Sequence, residues 1–380
     1  MSPSHRPSLS DFFEDLDDHR EPGRNFRHPF INVLLTAVIG IACGQKTFTA
    51  VADFVDGQLD WFGRFLDMSE GAPSEATYRR VFEALNPAAF ERCFRLWVAS
   101  IADVMAGEVV ALDGKTIRNS GMPGERAIHL VSAWATSSGI LLGQRATDQK
   151  SNEITAIPLL VEALALKGCL LTIDAMGCQR EIAKTIIDQG ADYLLAVKDN
   201  QPTLHDEVEQ YFLSYRKGDL PDENMRFCEQ ADKGHGRLEV RRCFTTPNVK
   251  WFENAHDWPG LASFALIESE RTVKGKTSVE TRCFICSLPG DSAERVLEAS
   301  RAHWGVENRL HWCLDVTFGE DKANIRLRRL AENFSVTRRI ALNALRRIPS
   351  FKGNLAQAGR KAAFNFAVRD TLMKSITSND

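Results

Sequence analysis

No apolar run in these 380 residues is long enough to cross a bilayer. The longest, FINVLLTAVIGIACG at 30–44, falls short of the roughly 20 residues a spanning helix needs. It also starts too far in, without a basic start region, to read as a signal peptide. It predicts a buried helix, and no membrane partner is expected. The chain has no Gly-rich loop of the kind that cradles nucleotide phosphates, no internal repeat and no low-complexity run. Its nine cysteines are odd in number and scattered, which argues against a disulfide framework and for a reducing compartment. Cys283 and Cys286 form a lone CxxC with no second pair at zinc spacing, so they read as strand core. An excess of one charge is also missing overall, because the net charge is −3. Locally it is not: residues 322–361 hold eleven Lys or Arg against the single Glu332. Such a segment is either a solvated amphipathic helix or a surface for a polyanion.

What is present reads as a two- or three-domain α/β chain, since 380 residues exceed one ordinary core. Residues 1–104 carry apolar positions at three- and four-residue spacing and predict a helical domain. Ser74 and Asn86-Pro87 are helix starts there. Arg79 and Arg80 would lie on a short third helix, either in a DNA-reading helix pair or in plain helical packing. Residues 105–225 change texture. EVVALDGKTIR, AIHLVSAWAT and ILLGQRAT predict strands, the last two joined by an SSG turn. TAIPLLVEALALKG predicts a helix with Thr155 as cap and Pro158 in the first turn. Strand, helix and strand follow, giving a mixed sheet with helices on both faces. Residues 226–290 predict a β-rich insertion. Residues 291–350 predict two long helices, one running 292–318, and 351–380 a basic tail.

Two strands contain an aspartate where an apolar residue is expected. VVALDG places Asp113, and LLTIDAMG places Asp174, after β-branched and leucine runs. A buried carboxylate must be neutral, hydrogen-bonded, paired or bound to a metal. For Asp113 the pairing choice is Lys115 or Arg118 in a strand-end turn. If the strands are neighbours, the two carboxylates converge, and a cation between them relieves their repulsion. Hard oxygen donors suit Mg²⁺ or Mn²⁺. In RAHWGVENRLHWCLDV, the residues Trp304, Glu307, His311 and Asp315 share one helical face, which aims Glu307 at whatever the helix packs on.

The motifs LDGKTIR, KSNEITAIP, TIDAMGCQ, AVKDNQ, HGRLEVR and HWGVENRLHWCLDVTFGED occur in this order along most of the chain. They resemble the transposases of the ISAs-type insertion sequences, the family that includes the H-repeat-associated proteins. The resemblance implies a DDE transposase with an RNase H-like catalytic core behind a helical family-specific domain. It places Asp113 and Asp174 on the two aspartates and Glu307 on the glutamate, as catalytic residues and metal ligands. Mg²⁺ or Mn²⁺, as two ions, DNA (element ends and target) as partner and a homodimer on DNA are implied with it. A cytoplasmic, nucleoid-associated bacterial protein is the matching location. Many related enzymes carry Tyr, Arg and Lys around the glutamate; here those places hold Ser300, His303 and Leu314.

Supporting contacts to DNA are expected from Lys198 and Asn200, which follow an apolar strand. His235, Arg237 and Arg241 form a basic strand edge on which arginine forks suit phosphate. Surface pairing of these arginines with Glu229 and Glu239 is the competing role. Arg338 and Arg339, with Arg346 and Arg347, are expected to line a basic helical surface. Glu153 is either a fourth active-site acid or a surface residue leading a helix.

Overall fold

The computed structural model describes residues 7–20, 27–102, 104–122, 124, 126–147, 152–234, 236–348 and 354–378. Six helices come first: α1 (Leu9–Glu14), α2 (Phe30–Ala42), α3 (Phe48–Asp56), α4 (Leu59–Phe62), α5 (Glu75–Ala84) and α6 (Pro87–Ile101). The caps follow the sequence. Ser74 Oγ accepts from Thr77 N–H at 3.3 Å, and Asn86 Oδ1 accepts from Ala88 and Ala89 N–H with Pro87 in the first turn. The apolar run at 30–44 forms α2, of whose 13 residues eleven are buried. No helix among the described residues is long and apolar enough to cross a membrane.

The next strands are β1 (Val109–Thr116), β2 (His129–Ala135) and β3 (Ile140–Thr147), followed by α7 (Glu153–Glu162), β4 (Leu170–Ile173), α8 (Arg180–Asp188), β5 (Asp192–Val197) and α9 (Pro202–Lys217). Strands β6 (Arg226–Gly234), β7 (Arg237–Thr246), β8 (Ser263–Val273) and β9 (Lys276–Cys286) complete one sheet in the order β3-β2-β1-β4-β5-β9-β8-β7-β6. β1, β4 and β5 run parallel, and the other pairings are antiparallel. This is a mixed sheet with flanking helices, as expected, and the strands of 226–286 extend it through β9 beside β5. Cys283 and Cys286 lie in that seam, fully buried.

Helix α7 departs from the expected start. It begins at Glu153, with Pro158 inside it and no side-chain cap from Thr155, whose hydroxyl instead donates to the Asn152 carbonyl at 2.9 Å. The cause is Glu153 itself. Its buried carboxylate bonds His129 Nε2 on β2, anchoring the helix one turn earlier than the proline suggests. Glu153 is therefore a buried paired group and not a surface residue.

After the sheet come α10 (Ala293–Val306), α11 (Arg328–Arg346), α12 (Leu355–Phe364) and α13 (Phe366–Thr377). Helix α11 is central. It packs on α2, α5, α6, β3, α12 and α13, burying Leu330, Phe334, Ile340, Leu342 and Leu345, each worth roughly 1.5–3 kcal/mol of apolar transfer. Asn343 on α11 exchanges both amide hydrogen bonds with the backbone of Leu141 on β3, at 3.0 and 2.8 Å. This position overturns the basic-surface expectation for Arg338 and Arg339. They are 2% and 0% exposed, with Arg338 over the Phe334 ring at 4.1 Å and Arg339 paired to Glu320 at 2.6 Å. Arg346 covers the Trp134 ring at 4.5 Å, and Arg347 donates to the Ser375 carbonyl. The residues expected as a basic tail form α12 and α13 instead, seated by buried Leu372, Met373 and Ile376.

Glu320 is wholly buried. Burial alone would raise its pKa, but Arg339 and Lys115 outweigh that and hold it at about 2. Its ionised form therefore stabilises the fold fully above its ordinary value of 4.5, and that contribution is lost as pH falls toward 2. Glu320→Gln leaves Arg339 buried without its counter-ion. A loss of about 3–5 kcal/mol is expected in urea unfolding at pH 7, shrinking as the pH is lowered toward 2.

Candidate active site

The site assembles from three stretches of chain around the centre of the sheet. β1 and β4 are parallel neighbours in the register Leu112↔Ile173, so Asp113 and Asp174 follow at the same level. Ligand sites of open α/β sheets collect beyond the carboxyl ends of such strands. The Asp113 side chain is 17% exposed, and its Oδ1 accepts from Gly114 N–H at 2.8 Å. Gly114 permits this tight packing. A Cβ there would come within 2.2 Å of Glu153 Oε1 and 2.5 Å of His129 Nε2.

Glu307 arrives from the far end of the chain. The single helix expected over 292–318 runs without a break from Ala293 to Thr317, but its winding changes within it. Beyond Val306 the backbone widens into two π-helical turns, Glu307–His311 and Cys313–Thr317. Trp312 N–H donates to the Glu307 carbonyl five residues back. Such widened turns recur at functional sites. Here they set Glu307 and His311 side by side against β1. His311 Nδ1 is 3.6 Å from Asp113 Oδ2 and 3.6 Å from Glu307 Oε2. One ligand atom from each of the three residues lies within 4.8 Å of the others.

The electrostatics reflect this crowding. Burial, then the Glu307 carboxylate, with Asp174 and Glu153 adding to it, push Asp113 up to about 7. Burial, Lys115 and Arg339 push His311 down to about 4, leaving a neutral imidazole. Neither basic neighbour offered by the sequence pairs with Asp113. Lys115 turns to Asp315 at 2.7 Å, Asp321 at 3.1 Å and Glu320 at 3.4 Å, and Arg118 Nε lies 3.5 Å from Asp321. Burial would depress Lys115, but these carboxylates outweigh it and raise its pKa. Lys115 thus ties β1 to the segment after Glu307. That role was missed in the sequence, although Asp315 on the shared face hinted at it.

Asp174 opens a 3-10 turn, Ala175–Gly177, and lines a cleft of about 80 Å³ with Thr172, Lys198, His303 and Trp304. Lys198 is therefore beside Asp174, whereas the Asn200 amide is engaged with the Ala175 carbonyl at 2.6 Å and holds that turn. His303, in the place of an arginine in related enzymes, shares a 3.0 Å hydrogen bond with Thr172 Oγ1. Ser300 and Leu314 are buried.

Arg237 and Arg241 line a groove of about 530 Å³ that runs to Asn308 and Arg309 beside Glu307. Arg241 is committed to Asp232 and Glu239, both at 2.8 Å. Arg237 holds Glu239 loosely at 3.9 Å. Glu229 pairs with Arg242. Trp304 stands half exposed at the same groove, with Arg282 stacked 4.4 Å from its ring centre. His235 lies outside the described residues. Arg79 is exposed on α5 and pairs with Glu75 at 3.2 Å.

Comparison with known proteins adds the following. Residues 105–344 match the family model described as transposase DDE domain, and residues 10–98 match one described as DDE_Tnp_1-associated. The chain is 38% identical over 380 residues to "Putative transposase YncI" of Escherichia coli O157:H7, covering 97% of this chain and 95% of that protein. It is 36% identical over 366 residues to "H repeat-associated putative transposase YhhI" of Escherichia coli K12, covering 94% and 95%. Among solved structures, the piggyBac transposase synaptic complex with hairpin DNA aligns at 10% identity and a TM-score of 0.47, covering 97% of this chain and 77% of that one.

A carboxyl group raised from 3.8 to about 7 favours the protonated folded state. In metal-free protein its cost grows as pH climbs through that window and is complete above it. Asp113→Asn is expected to stabilise the metal-free chain at pH 8, on the order of 3 kcal/mol, with no gain at pH 4. Melting curves in EDTA at both pH values check this.

Proposed function

Because the chain belongs to the transposase DDE domain family, we propose that it cuts the ends of an insertion sequence and joins the freed 3′-OH to target DNA. The observation that carries the reading is the meeting of Asp113, Glu307 and His311 within 4.8 Å, with Asp174 at the same level on the adjacent strand.

The donor set fits a divalent cation. Two acids and a neutral imidazole crowd together, and burial with the Glu307 carboxylate raises the Asp113 pKa to about 7. Asp113, Asp174 and Glu307 would hold two ions, Mg²⁺ or Mn²⁺. When bound, the ions supply Lewis acidity to the phosphoryl group and to the attacking and leaving oxygens of an in-line displacement.

The chain's own residues do the rest. Lys115 holds the π-helical segment against β1, so that Glu307 stays opposite Asp113. The arginine-lined groove offers phosphate contacts through Arg237, Arg282 and Arg309, and Lys198 adds a charge beside Asp174. These contacts orient the duplex without reading sequence. In the first step water attacks a phosphorus at the element end, and the bond to the 3′ oxygen breaks. In the second, that 3′-OH attacks a target phosphorus and displaces another 3′ oxygen. No covalent protein intermediate is needed. Two ends must be brought together, so a homodimer on DNA is part of the proposal.

Asp113→Asn, Asp174→Asn and Glu307→Gln are each expected to lower Mg²⁺-dependent nicking of terminal-repeat DNA by at least about a thousandfold. Binding of the same DNA in a gel-shift assay should hold within about threefold. An uncut substrate with the native chain in Mg²⁺ and in Mn²⁺ overturns the enzyme reading and leaves a DNA-binding protein. Nicking without joined product reduces it to a nuclease.

A further inference from the structure

We propose that His311 is a metal ligand, so that the ion shared by Asp113 and Glu307 is held by mixed nitrogen and oxygen donors. This rests on the metal-dependent reading of the same site and names a ligand beyond its three acids.

The imidazole is placed as a ligand and not as a hydrogen-bonding prop. Its side chain is 9% exposed. Nε2 is buried with no hydrogen-bond partner among the described residues. Nδ1 faces one oxygen of Asp113 and one of Glu307, each at 3.6 Å. A hydrogen bond from a ring nitrogen ends near 3.2 Å, so neither carboxylate holds the ring. Nδ1 is thus free of a hydrogen bond to either acid, and the fold keeps it pointed between the two carboxylates.

The spacing suits an ion between the three groups. Donors about 2.1 Å from a six-coordinate cation lie roughly 3.0 Å apart when adjacent and roughly 4.2 Å apart when opposite. The observed 3.6 Å to each oxygen lies between these values. A contraction of about 0.6 Å to the adjacent-donor spacing completes the contact. The π-helical turn supplies the geometry, because it presents Glu307 and His311 to the same point from one segment of backbone. An imidazole donor also has a chemical consequence. It favours first-row transition ions over Mg²⁺, which prefers oxygen, so Mn²⁺ should be retained more tightly than the three carboxylates alone would allow.

The test is pulsed EPR on the full chain loaded with Mn²⁺ alone. A directly coordinated ¹⁴N coupling is expected, converting to ¹⁵N when the protein carries [¹⁵N]histidine. It should vanish in His311→Gln and persist in His303→Gln. An EPR titration should show Mn²⁺ affinity falling at least about tenfold in His311→Gln. Bound Mn²⁺ without coordinated nitrogen, or a coupling that survives His311→Gln, overturns the proposal and leaves the carboxylate site standing. Failure to bind Mn²⁺ at all overturns both this inference and the metal-dependent reading. If His311→Gln does not fold, the labelled native chain and His303→Gln still decide: absence of nitrogen coupling in the native chain, or its loss in His303→Gln, rejects His311.

Discussion

Lys115 and its carboxylates hold the centre of this protein together. The amine is almost wholly buried on β1 and reaches Asp315, Glu320 and Asp321 at 2.7–3.4 Å. Glu320 is in turn clamped by Arg339 of the central helix at 2.6 Å. One ionic chain therefore runs from the sheet, through the turns after Glu307, into α11. Removing Glu320 leaves Arg339 buried without its counter-ion, whereas Lys115 keeps Asp315 and Asp321. Because Asp113 lies two residues before Lys115 and Glu307 eight before Asp315, the same chain fixes where the two acids meet.

With Lys115 and Arg339 so committed, neither is paired with Asp113. Asp113 is pushed to about 7 chiefly by burial and by Glu307. The protein thus keeps like charges close at the mouth of the parallel strands, while Lys115 and Arg339 hold the walls. A cation between these groups, as the proposed function requires, would relieve that repulsion. The groove beside Glu307, with Trp304 and Arg282 at its edge, leads from that point along the extended sheet.

Much of the architecture was legible because burial leaves a periodic trace. Alternation and β-branched runs marked β1 to β5 and the seam strands, and Ser74 and Asn86 announced their helices through short capping side chains. Asp113 and Asp174 stood out as charges in apolar strands. Three readings failed for one reason: local pattern does not know its neighbours. Pro158 suggests a helix start, but Glu153 reaches His129 and moves it. Arg338 and Arg339 look like a basic face until α11 is placed in the middle of the helical layer. A regular helix through Glu307 is the default of its periodicity, and the ties from Asp315 to Lys115 accompany a wider winding.

By itself the sequence determined the class of fold, the helical layer at the front, and the three acids that motif order singled out. The first two depend on composition and short-range spacing, which a chain carries wherever it goes; the three acids were singled out by the family resemblance of the motifs. Tertiary structure alone decided which cations neutralise which acids, and that His311 joins Asp113 and Glu307. Charge pairing and donor geometry act over a few ångströms between residues some two hundred positions apart, and only folding sets those distances.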